Sequence, residues 1–277
     1  SVLTLKLSLM SYLVALALFI PISGWLSDRF TARYIFCMAM LIFIFGSLLC
    51  SLSQSLSFFV FARFIQGMGG SMFVPVGRII LLRNTPKEDI VSSLSWLAIP
   101  ATAGPLIGPP LGGFITTYFT WQWMFLINIP IGFLGIACGF LLLPKNETPM
   151  VKTFDWKGFL LSAITLSCFI SGLSIVSIAQ IPKWFSLSLT FIGIIFGILY
   201  VIQALNHPRP VLDIKLLGRR PTFCLSIASS SFLRIATGSI AFLLPLMLQL
   251  GFQFSPITSG MITLSAALGA IFAKLGV

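Results

Sequence analysis

Of the 277 residues, 57% are hydrophobic and only 8% are charged, and the mean hydropathy is +1.05. A soluble domain carries roughly 25% charged residues, so the composition excludes an ordinary soluble enzyme and leaves a membrane protein. The net charge of +11 does not indicate a nucleic-acid binder, because its basic residues are segregated into the links between apolar runs.

A membrane span needs about 20 mostly apolar residues, and about nine such runs are present. They are Leu5–Leu26, Tyr34–Leu52, Phe58–Leu82, Ser92–Thr116, Met124–Leu143, Gly158–Ile181, Phe185–Leu205, Thr222–Leu250 and Ser259–Leu275. Each is predicted to be a helix, since an open sheet would leave backbone groups unpaired in lipid. Arg29, Arg33, Arg83, Lys87, Lys145, Lys152, Lys157, Arg209, Lys215, Arg219, Arg220 and Lys274 fall on one side, against Lys6 and Lys183 on the other. That asymmetry predicts that the first side is cytoplasmic, with the chain's N-terminus outside and its C-terminus inside. A chain that starts at Ser1 and enters the membrane from outside is expected to follow an earlier span. Its end at Val277, directly after an apolar run, is expected to be a truncation as well, and a piece of this kind would not transport alone. The five cysteines, Cys37, Cys50, Cys138, Cys168 and Cys224, lie in spans without metal-ligand spacing and read as packing residues.

The first span ends in Gly24-Trp25-Leu26-Ser27-Asp28-Arg29, with Arg33 close behind. Opposite charges so spaced can pair with each other or with the end of a neighbouring helix; the alternative is an ordinary basic loop. The string resembles the G-x-L-A-D-R-x-G-R-K loop motif of the major facilitator superfamily, with Thr31 and Ala32 in place of its glycine and second arginine.

In the third span, Arg63, Gln66, Gly67 and Gly70 share one helix face. An arginine at a span centre costs about 2.5–3.5 kcal/mol on insertion scales, so this face points into protein or a cavity. Arg63 either ties helices together or serves transport. The stretch is similar to the superfamily's R-x-x-Q-G-x-G-A motif, which implies a proton-coupling role for Arg63, Gln66 and Gly67.

The fourth span carries Gly104, Gly108, Pro109, Gly112 and Gly113. Prolines bend a helix and glycines let backbones approach, which a generic packing helix would also use. The spacing matches the G-x-x-x-G-P-x-x-G-G motif of drug-efflux members, implying a hinge and seal. Trp121-Gln122-Trp123-Met124-Phe125-Leu126-Ile127-Asn128-Ile129-Pro130 starts the fifth span. Its tryptophans suit an interfacial belt, and the whole string is similar to W-R-W-x-F-x-I-N-x-P-x-G of the fourteen-helix drug:proton antiporter branch.

A polar linker follows, with the sequon-like Asn146-Glu147-Thr148. Phe154-Asp155-Trp156-Lys157-Gly158 then opens a two-helix hairpin, as in that branch. His207, the single histidine, lies in the next link and reads as a solvated residue more readily than a proton shuttle. Arg234, the second intramembrane charge, either snorkels or faces a cavity. Asp28, Glu88, Asp89, Glu147, Asp155 and Asp213 are the six acids, all placed in cytoplasmic loops. Since proton-driven transport needs a titrating group, either the protein is not proton-coupled or the carboxylate lies in an earlier helix, where the family carries an aspartate.

No catalytic motif such as H-E-x-x-H, G-x-S-x-G or a P-loop is present, nor a channel filter. The chain is therefore read as an all-α polytopic membrane protein of the major facilitator fold. Its expected parts are a first bundle (1–143), a linker with an inserted hairpin (144–208) and the start of a second bundle (209–277). The resemblance implies a monomeric inner-membrane exporter of small, lipophilic or cationic molecules in exchange for protons; Asn128, and Arg234 if it faces inward, are the candidates for its substrate cavity. It implies no cofactor and no metal, and it admits a periplasmic adaptor protein as partner. The alternatives are a metabolite or siderophore exporter, or an inactive membrane scaffold.

Overall fold

The computed structural model describes residues 2–144, 153–176, 178, 181–255, 258–263 and 265. Within these the regular elements are helices, in the order α1 (Val2–Phe30), α2 (Ala32–Ser51), α3 (Leu56–Gly70), α4 (Phe73–Asn84), α5 (Ile90–Tyr118), α6 (Trp123–Leu126), α7 (Asn128–Leu142), α8 (Trp156–Ile175), α9 (Lys183–Asn206), α10 (Lys215–Arg219) and α11 (Pro221–Leu250). The fold is all-α.

Among the described residues, seven stretches are long and apolar enough to cross a membrane: Lys6–Phe30, Ala32–Ser51, Leu56–Asn84, Trp123–Leu142, Trp156–Ile175, Lys183–Asn206 and Pro221–Leu250. They match seven of the predicted spans. The fourth predicted span appears as α5, whose 29 residues would reach about 43 Å at 1.5 Å per residue. Most of the ninth lies outside the described residues, as do Lys145, Asn146, Glu147, Thr148, Lys152 and Lys274.

Two predicted spans are split, and proline accounts for both. Pro75 has no N–H to give to the Ser71 carbonyl four residues back. The ladder therefore tightens at Ser71 and Met72, where the Met72 N–H bonds Gly69 O at 3.3 Å, and resumes as α4. Pro130 withholds its donor from Leu126 in the same way, and the turn at Ile127 separates α6 from α7.

The chain forms two compact units, residues 1–80 with 125–215 and residues 81–124 with 216–277. In the first, α3 packs against both α1 and α2, α7 lies on α2, and α8 pairs with α9 and rests on α1. Ala32, Ile35 and Ala39 of α2 meet Met72, Val76 and Ile80 to form its dense core, edged by Phe19, Ile22 and Leu26 of α1. Outward positions such as Leu134, Leu141, Leu187 and Phe191 remain exposed and apolar, as a lipid-facing surface requires. In the second unit α5 touches α11, and a helical segment at 258–263 lies so close to α5 that a Cβ on Gly260 would strike the Pro110 backbone.

The α2–α3 contact depends on missing side chains. A Cβ on Gly46 would stand 2.5 Å from Gln66 Cα, and one on Gly69 would stand 2.5 Å from the Ala39 carbonyl oxygen. Neither backbone can yield without opening the helix pair. Gly77 has nothing within 4 Å of its Cβ position. Gly46→Ala is therefore expected to cost about 1–3 kcal/mol through overpacking, and Gly77→Ala, inside α4 with room for the methyl group, to raise the melting temperature in detergent slightly, by the equivalent of about 0.5–1 kcal/mol.

Candidate functional site

The third-span arginine has partners within its own bundle. Arg63 Nη1 donates to Gln66 Oε1 at 2.8 Å, one turn along α3. Gln66 Nε2 in turn donates to Ser47 Oγ on α2 at 2.7 Å, and Asn128 Nδ2 at the head of α7 reaches the same oxygen at 3.4 Å. The guanidinium carbon lies 4.9 Å from the Tyr12 ring of α1 and 5.5 Å from the Phe125 ring of α6, within cation–π range. Gln66 and Ser47 are buried. Four long helices thus contribute to one polar thread, in the order Tyr12, Arg63–Gln66, Ser47, Asn128.

The charge is held without an acid. Among the described residues no carboxylate pairs with Arg63; one amide oxygen and two aromatic faces take its place, and its Nε is buried with no hydrogen-bond partner. The sequence census of acids looked for carboxylates alone, and Tyr12, Phe125 and Ser47 lay outside it. No residue-type signal marked those three, since their registers emerge only when α1, α2 and α6 are packed. Gly67 matters for packing, because a Cβ there would come within 2.7 Å of the Tyr12 carbonyl oxygen; glycine lets α1 and α3 close.

The two arginines of the loop motif part company. Arg29 is exposed, its guanidinium carbon 5.3 Å from the Trp25 ring and 5.5 Å from the Phe30 ring. Arg33 is buried and donates to the carbonyls of Phe140 and Leu143. A cation on the last carbonyls of α7 opposes the negative end of that helix, so Arg33 meets the end of a neighbouring helix, one of the two pairings predicted for it. Asp28 is half-buried, and Gly24 has open space around it. Trp25 also stacks on Phe154 at 4.7 Å, tying this end of α1 to the hairpin.

In the hinge motif, Gly104, Gly108 and Gly112 fall at intervals of four along α5, and a Cβ on any of them would meet nothing within 4 Å. Gly113 is buried, and α5 runs unbroken past Pro109. Arg234 is exposed along α11. Arg78 is a further cation inside a span, exposed on α4 and missed by the sequence reading. Asp155 lies in the link before α8, as read from the sequence; it is 6% exposed and caps α8 by accepting the Gly158 N–H at 2.9 Å.

The Major Facilitator Superfamily family model matches residues 1–276. The chain belongs to this superfamily. MdtD of Escherichia coli (strain K12), which bears the name of a multidrug resistance protein, is 37% identical over 282 residues, covering 99% of this chain and 58% of the relative. The MdtD proteins of Shigella sonnei (strain Ss046) and Escherichia fergusonii match with the same identity and coverage. This superfamily chain thus spans little more than half the length of the curated relatives it matches. The superfamily is one of transporters embedded in membranes, in keeping with the apolar helices.

One departure from the superfamily's loop motif has a visible cost. Thr31, where that motif has glycine, sits at φ 68° and ψ 139° before α2 and makes no side-chain cap. A β-branched residue in this region is strained by about 1–3 kcal/mol, whereas glycine adopts it freely. Thr31→Gly is therefore expected to raise stability by about 1 kcal/mol, measured as a higher melting temperature in detergent.

Proposed function

We propose that this chain forms the first bundle, the inserted hairpin and the start of the second bundle of a secondary transporter in the fourteen-helix drug:proton antiporter branch. It exports small, lipophilic or cationic molecules in exchange for protons by alternating access, in the inner membrane, with the N-terminal end of the chain outside and the C-terminal end in the cytoplasm. The observation that carries this reading is the thread from Tyr12 through Arg63, Gln66 and Ser47 to Asn128. A charge kept in an apolar bundle by neutral groups alone is costly to hold, and it is poised to favour a carboxylate whenever one loses its proton nearby. Arg63 is the polar partner of the proton site, with Gln66 and Ser47 fixing its position. The open glycine stripe of α5 supplies the surface on which the hinge and seal move. Asp28 and Arg29 form the cytoplasmic latch, while Arg33 holds the end of α7. The name of the MdtD relatives supports a drug-like substrate class.

The full-length protein, expressed in a bacterium lacking its own efflux pumps, is expected to lower ethidium accumulation. Arg63→Ala should bring accumulation to the level of the empty-vector control at equal membrane abundance. Unchanged efflux in that variant contradicts the role of Arg63; absence of efflux in the wild type contradicts the substrate class.

A further inference from the structure

Away from the Arg63 thread, the head of α8 and the tail of α9 enclose a second polar cluster that transport does not explain. Asp155 is buried, and beyond capping α8 it accepts Gln203 Nε2 on both oxygens, at 2.9 and 3.0 Å. The carboxylate thereby stitches the two ends of the hairpin together. The Oε1 atom of Gln203 is buried with no partner.

His207, the single histidine of the sequence, terminates α9, its N–H bonded to Gln203 O at 2.9 Å. Its Nδ1 accepts the Arg209 N–H at 3.2 Å. The same Nδ1 lies 3.9 Å from Asp155 Oδ2, and the side chain is 35% exposed, open to water. The link beyond His207 is pinned independently. Tyr200 Oη donates to Leu212 O at 3.1 Å and accepts from Leu212 N at 2.8 Å, and Lys215 Nζ donates to His207 O at 3.2 Å.

We propose that His207 and Asp155 form a proton-operated clasp between the link that follows α9 and the head of α8. A proton taken from water onto Nδ1 changes that atom from acceptor to donor. It must release the Arg209 N–H, and the nearest acceptor left to it is the Asp155 carboxylate, which a small rotation of the ring brings into hydrogen-bond range. One proton thus exchanges a neutral turn bond for a charge-assisted bond to the hairpin. Histidine is the residue type whose charge ordinarily changes between about pH 5 and 8, so acid fastens the clasp and alkali frees it. The other charged and titratable groups around the ring are Arg209, Asp213 and Lys215 from the link, Tyr200 from α9 and the exposed Lys157 on the first turn of α8. On the neighbouring α1, Arg29 faces the Trp25 and Phe30 rings. Asp155 is the buried anion among these groups, and the clasp does not depend on the proposed transport.

The test is hydrogen–deuterium exchange of the full-length protein in lipid nanodiscs at pH 5.5 and pH 8, corrected for intrinsic rates. On acidification the Arg209 amide, read from peptides that cover the 208–213 segment, is expected to exchange about three- to tenfold faster, the equivalent of one lost hydrogen bond, while 155–159 exchanges more slowly. His207→Gln, neutral at both pH values, should abolish both changes. Asp155→Asn, which can still cap α8, should keep the first change and lose the second. Exchange that is independent of pH in the wild type, or unaltered by His207→Gln, overturns the proposal. So does an Asp155→Asn protein in which 155–159 still slows.

Discussion

An arginine inside an apolar bundle is the constraint on which the first unit depends. Its guanidinium is partly buried against α1 and α6, and among the described residues no acid neutralises it. The bundle disperses the charge instead, over the Gln66 oxygen and the faces of Tyr12 and Phe125. Each contact is modest, about 0.5–2 kcal/mol for a cation over a ring, and together they tie α3 to α1 and α6, while Gln66, Ser47 and Asn128 carry the thread on to α2 and α7. Gln66 can reach Ser47 because Gly46 lets the α2 and α3 backbones touch, and Tyr12 can reach Arg63 because Gly67 does the same for α1. Tight packing and polar chemistry are one device here, the small residues setting the distances the polar groups need.

The same economy recurs at the helix ends. Arg33 serves the last carbonyls of α7, and Asp155 serves the first amides of α8. Each places a buried charge where the helix dipole favours it. Both charges look in the sequence like ordinary members of a polar loop, and both turn inward. Exposed Arg29, stacked on Trp25, is the one of the motif's two arginines left available at the surface.

Helix positions were legible to within a few residues because a span must be apolar for about 20 residues whatever it packs against. The breaks in the third and fifth spans were not read, although Pro75 and Pro130 were there to announce them; apolar content runs through a break without changing. The shared face of Arg63 and Gln66 follows from helical periodicity alone and holds. The identity of their partners does not follow, because Tyr12, Ser47 and Phe125 reach Arg63 and Gln66 only through the relative rotation of separate helices, which periodicity leaves free. The burial of Asp155 was not legible for a related reason: its partner Gln203 is forty-eight residues away on the other arm of the hairpin.

Central to the proposed transport is Arg63 as a charge held ready for a proton-binding partner. Its most direct measurement is substrate-induced proton release from the purified full-length protein in weakly buffered detergent, followed with a pH electrode. Addition of a lipophilic cation such as ethidium is expected to release protons from the wild type and none from Arg63→Ala. Equal release from both proteins, or none from the wild type that binds the cation, would contradict it.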